Sequence, residues 1–206
     1  MALTEIFVLI RKEMQLEWRN KYAIHGLVLY LAATIFICYL SFKAKQQSIH
    51  PIMWNTLFWI ILLFSAVNAV GKSFTQESAN RNIFYYTFVK PESVIFSKII
   101  YNTLVMLGVS FIGIFFYSWV MGNPVGNISL YLISLVLGAI GFASTLSLVA
   151  GIAAQGENSA TLMAVMSFPL IIPLLLLLLK LSKSALDGIS LSENWDEIAI
   201  LGALDI

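Results

Sequence analysis

The fold is decided by residues 99–156, IIYNTLVMLGVSFIGIFFYSWVMGNPVGNISLYLISLVLGAIGFASTLSLVAGIAAQG, which run for 58 positions without one Asp, Glu, Lys or Arg. A helix rises 1.5 Å per residue, so about 20 apolar residues cross roughly 30 Å of hydrocarbon, and this stretch holds two crossings. Their boundary lies in Gly122-Asn123-Pro124-Val125-Gly126-Asn127, where turn formers and helix breakers cluster. Spans are therefore predicted at 99–121 and 128–154.

Working outward, charge is also absent from 22–42, 46–71 and 158–179, runs of 21, 26 and 22 residues. Each holds one span, near 23–42, 52–70 and 161–179. Apolar character fades over the polar stretch 180–197 and returns at 198–206, too short a run to cross, which reads as a truncated sixth helix. The predicted class is all-α: a polytopic membrane helix bundle with an N-terminal interfacial helix, five complete spans and a partial sixth, all in one integral membrane domain over 1–206.

Composition agrees. The chain is 59% apolar and 11% charged, with mean hydropathy +0.86, where soluble domains carry about 25% charged residues. A net charge of +1 removes the basic surface that nucleic acid requires. One cysteine, Cys38, excludes a disulfide framework and lies in an apolar run as a small hydrophobe.

Lys and Arg orient the spans. Arg11, Lys12, Arg19 and Lys21 precede the first, and Lys72, Arg81, Lys90 and Lys98 lie between the second and third. Only Lys43, Lys45, Lys180 and Lys183 lie in the opposite loops, so the N terminus and the 71–98 loop are expected in the cytoplasm. Acidic Glu5, Glu13 and Glu17 among the leading basic residues argue against a signal peptide. Leu3, Ile6, Phe7, Ile10, Met14 and Trp18 recur at helical spacing there, which predicts an amphipathic helix lying in the cytoplasmic face of the membrane, with lipid as its partner.

Catalytic chemistry is scarce. Gly71-Lys72-Ser73 resembles the end of a phosphate loop, but Ala66 stands where that loop needs glycine. His25 and His50 are expected at opposite faces and cannot share a metal, so neither a metal site nor a stably bound cofactor is expected. The better axial-ligand candidate is His50, beside Trp54 and Trp59; these tryptophans, with Tyr117, Trp119 and Tyr131, otherwise read as an outer aromatic belt. No ionisable residue is expected inside a span, which argues against an ion-driven carrier, and no nucleophile stands with a base, which argues against an enzyme. Asn55, Asn68 and Asn102 are read as hydrogen bonders between helices.

Two features remain. The 71–98 loop is long for a connection between spans; a polar stretch 75–82 with helical character is followed by aromatic residues and by Pro91-Glu92, which reads as the start of the next helix. Phe74, Gln76, Glu77, Ser78, Arg81, Pro91 and Lys98 are its candidates for contact with a soluble partner. In the fifth span, Pro169 and Pro173 must kink the helix and free backbone carbonyls.

These residues resemble the haem exporter protein B (CcmB) family, the membrane subunit of the cytochrome c maturation ABC transporter within the ABC-2 permease group. The resemblance covers the whole chain. It rests on Arg11-Lys12-Glu13 and Glu17-Trp18-Arg19, Phe74 to Glu77, Pro91 to Lys98, Phe168-Pro169-Leu170-Ile171-Ile172-Pro173-Leu174 and Leu201-Gly202-Ala203-Leu204. It implies a six-helix permease in the bacterial inner membrane, non-catalytic itself, paired with a cytoplasmic ABC ATPase subunit and other cytochrome c maturation proteins, with a homodimer admissible. Haem enters as a substrate, exported or handed on while ATP hydrolysis releases the haem chaperone; His50, Trp54 and Trp59 are the candidates to touch it. A passive assembly scaffold is the alternative. Gly138, Gly141 and Gly151 then serve close helix approach.

Overall fold

The computed structural model describes residues 2–20, 22–43, 49–75, 91–154, 156 and 159–205. Its helices are α1 (Ala2–Asn20), α2 (Tyr22–Lys43), α3 (Pro51–Thr75), α4 (Pro91–Met121), α5 (Ile128–Ala153), α6 (Ser159–Leu186) and α7 (Trp195–Leu204), with a 3-10 turn at Leu191–Glu193. No strand occurs among the described residues. Five helices, α2 to α6, are long and apolar enough to cross a membrane, and they coincide with the five predicted spans.

The ends differ from the charge-based edges. Helix α4 begins at Pro91, upstream of the predicted edge at 99, because the fixed φ and missing N–H of proline suit a first helical turn and Glu92 complements that end. Helix α3 carries Lys72 in its last turn, and α6 runs on to Leu186 past Lys180 and Lys183. A lysine interrupts a charge-free run without ending the helix, since its stem packs while its ammonium reaches water or a partner.

The middle of the bundle is α5, which packs on α3, α4 and α6. Its buried face carries Ser134, Gly138, Ala139, Gly141, Ala143, Ser147, Ala150 and Ala153. Small residues let helices approach where lipid offers no hydrophobic drive, so van der Waals contact supplies the attraction. A β-carbon on Gly138 would stand 2.5 Å from the Trp59 ring, and one on Gly141 would stand 2.9 Å from Leu174. Gly151 has Phe74 at 3.6 Å and is close without being crowded.

The predicted break is realised. Gly122 takes φ +83°, and Asn127 caps α5 with its Oδ1 accepting from the Leu130 N–H at 3.1 Å. The Asn127 Nδ2 donates to the Ile189 carbonyl at 2.9 Å, which ties this turn to the segment after α6.

Helix α1 lies along α4 and touches α2. Leu9 is buried, whereas Phe7, Val8 and Met14 are exposed, so two members of the expected apolar stripe point away from the bundle. At the other end of the chain, α7 is ten residues, about 15 Å, and rests on α5 and α6 with Leu201 buried. Lys180 and Glu197 pair at 2.8 Å between α6 and α7.

Candidate functional site

Lys98 sits at the start of the third turn of α4 and is 3% exposed. An ammonium taken out of water costs several kcal/mol unless it is paired, and here three groups from two other helices meet it. Its Nζ donates to the Ser73 carbonyl at 2.7 Å, lies 3.6 Å from Glu13 Oε1 and stands 4.8 Å from the centre of the Phe74 ring. Ser73 is in the last turn of α3, where helix carbonyls have no internal partner and the helix dipole favours a cation. The aromatic face of Phe74 adds a cation–π contact. Glu13, on α1, also pairs with Lys12 at 3.1 Å.

One turn deeper, Asn102 donates through Nδ2 to Ser147 Oγ at 2.8 Å, joining α4 to α5. Three helices are thus fastened around Lys98, and Asn102 extends the connection to α5. Helix α3 ends at Thr75 and α4 begins at Pro91 close to this point.

Lys98 lies near the start of the apolar stretch Glu92–Met121 of α4, which is longer than the about 20 residues a crossing needs. Charge-free runs did not show its burial because its partners, Glu13 and Ser73, are distant in sequence. Phe74 is partly buried and packs inward on Lys98 and on α5 near Gly151, not outward. Pro91 is the first residue of α4. Gln76, Glu77, Ser78 and Arg81, and the helix expected over 75–82, lie outside the described residues except for Thr75, the last residue of α3.

The aromatic belt is also corrected. Trp54, Trp59, Tyr117 and Tyr131 are 0–2% exposed and form a core cluster with Phe58 and Phe142; only Trp119, 76% exposed, faces outward. Sequence position near a helix end gives depth but not direction, and each polar tip finds an internal partner. Trp54 Nε1 donates to the Gly122 carbonyl at 3.0 Å, Trp59 Nε1 to Ser182 Oγ at 2.9 Å, and the Tyr117 hydroxyl to the Trp54 carbonyl at 2.9 Å. The Tyr131 hydroxyl meets Asn55 Oδ1 at 3.3 Å, and Asn55 Nδ2 donates to Ser182 Oγ at 2.8 Å. Asn55 and Asn102 therefore bridge helices as expected, while Asn68 returns to its own helix at the Phe64 carbonyl.

His50 is exposed just ahead of α3, and its Nδ1 accepts the Ile52 N–H at 3.3 Å. Trp54 and Trp59 are buried below it and offer no open face to a haem. No group of three His, Cys, Asp or Glu that could hold a metal occurs among the described residues. Helix α6 continues through Pro169 and Pro173, which both lie on its exposed side. Beside them Leu63, Phe64 and Val67 of α3 face Ser167, Phe168 and Ile171 of α6 across an apolar groove.

A family model described as CcmB protein matches residues 4–206. The chain belongs to the CcmB family. Comparison with curated proteins and with solved structures gives no match. Membership makes this a multi-pass membrane protein and a permease component of haem export in cytochrome c maturation. In a CcmB chain, the fastening of α1, α3 and α4 around Lys98 holds both ends of the large loop between spans.

Proposed function

We propose that this CcmB chain is the membrane subunit through which ATP hydrolysis on a separate cytoplasmic ABC ATPase drives haem delivery or haem-chaperone release. The carrying observation is the buried Lys98, whose contacts with Ser73 and Phe74 tie both stems of segment 76–90 together. A loop clamped at its base can pass a partner's movement to the spans, whereas a loose one dissipates it. The bias of Lys and Arg favours a cytoplasmic N terminus and 71–98 loop in the bacterial inner membrane. Other cytochrome c maturation membrane proteins, and a second copy of this chain, complete the assembly on this reading. Haem is substrate and not a resident cofactor.

The test is co-purification. Glu77→Lys and Arg81→Glu reverse charges on the loop without touching a span, and each should reduce recovery of the ATPase at least fivefold while membrane insertion persists. Full recovery with both variants would leave a passive scaffold as the better account.

A further inference from the structure

Helix α1 is held on its inner side by a charge. Glu13 is largely shielded, at 11% side-chain exposure, and its Oε1 lies between Lys12 at 3.1 Å and the buried Lys98 at 3.6 Å. An apolar side chain would fill the Lys98 position with less desolvation, since a buried ion pair seldom improves on well-packed hydrophobic residues. The charge therefore fixes a specific arrangement in space. That arrangement continues inward, because Phe74 lies 3.6 Å from the β position of Gly151 and Asn102 meets Ser147, both on α5.

We propose that Glu13 and Lys98 are positioning residues that make α1 move with the stems of segment 76–90, so that a partner pushing on that segment displaces α1 and α5 together. The inference rests on the coupling reading above and adds to it a role for α1. Lys98 holds the stems through Ser73 and Phe74 whether or not α1 follows; Glu13 adds a charged tie to the apolar packing of α1 along α4. Removing the Glu13 charge should thus leave the loop able to bind the ATPase while uncoupling α1 from it.

The experiment uses the full chain with its ATPase in lipid nanodiscs, in a Cys38→Ala background so that introduced cysteines are the only thiols on this chain. Spin labels on Gln15→Cys in α1 and Asn123→Cys in the α4–α5 turn report the distance along the bundle. A non-hydrolysable ATP analogue should shift that distance in the parent, and Glu13→Gln should abolish the shift while ATPase recovery stays within twofold. Cytochrome c matured per ATP hydrolysed should fall at least fivefold in the same variant. Adding Lys98→Met to Glu13→Gln should lower that ratio no further than Lys98→Met alone, whereas Lys98→Arg should retain it. If Lys98→Met fails to insert, Glu13→Gln alone decides. An identical shift and yield in Glu13→Gln and parent would overturn the proposal and leave the coupling reading intact. No shift in the parent would overturn it as well, and loss of the coupling reading itself would appear separately, as ATPase recovery indifferent to Glu77→Lys.

Discussion

Gly138 of α5 and Trp59 of α3 fit together without room for a methyl group: a β-carbon on Gly138 would lie 2.5 Å from the indole ring. Trp59 cannot swing aside freely, because its Nε1 is held by Ser182 on α6 at 2.9 Å and its ring meets Phe142 edge-on at 6.1 Å. Gly138→Ala should therefore destabilise by about 1–3 kcal/mol, the usual cost of overpacking. Thermal unfolding in detergent checks it, and a Gly202→Ala control, with open space at the β position, should melt near the parent.

Ser182 is the hub of the buried network around Trp59, accepting from both Asn55 and Trp59. Ser182→Ala strands two donors in a dry environment, at about 1–3 kcal/mol for each that finds no new partner. The variant should melt lower. Asn55→Leu should be milder than Ser182→Ala because it strands one donor, the Tyr131 hydroxyl, where Ser182→Ala strands two, and the reverse ranking would show that the network adds little.

Asp205 carries a stability prediction. Both carboxylate oxygens are buried with no hydrogen-bond partner among the described residues, and Oδ1 lies 2.5 Å from the β position of Gly141 in the middle of α5. A buried carboxylate without a partner costs stability, so Asp205→Asn should melt above the parent in detergent. A variant that melts at or below the parent would contradict it.

The spans were legible because hydrocarbon imposes a length on charge-free runs, and Gly122 to Asn127 punctuated the longest one in the open. Helix direction was not legible. Trp54, Trp59, Tyr117 and Tyr131 read as a belt since nothing in a uniformly apolar helix marks which side meets lipid, and only the positions of Gly138 and Ser182 in neighbouring helices settle where Trp59 turns. The Lys98 site was half legible: the loop was singled out, but the lysine was taken for a surface contact. Its burial depends on Glu13, 85 positions earlier, and on a carbonyl of α3, which carries no side-chain signature.

Haem gives the next prediction. His50 is exposed and the tryptophans beside it in sequence are buried, so among the described residues no paired-ligand pocket forms around it. The purified subunit should show a shallow Soret titration that His50→Ala leaves unchanged. Tight stoichiometric binding lost in that variant would instead make His50 an axial ligand.

The central claim is that the 71–98 region couples a partner's ATP hydrolysis to this bundle. The most direct measurement is the ATPase rate of the purified complex in nanodiscs, compared between the parent chain and Phe74→Lys, which sets a second ammonium against the buried Lys98 and separates the stems by like-charge repulsion. The account predicts a rate at least fivefold lower or no longer responsive to the membrane subunit, with insertion unchanged. An ATPase rate and cytochrome c yield equal to the parent would contradict it.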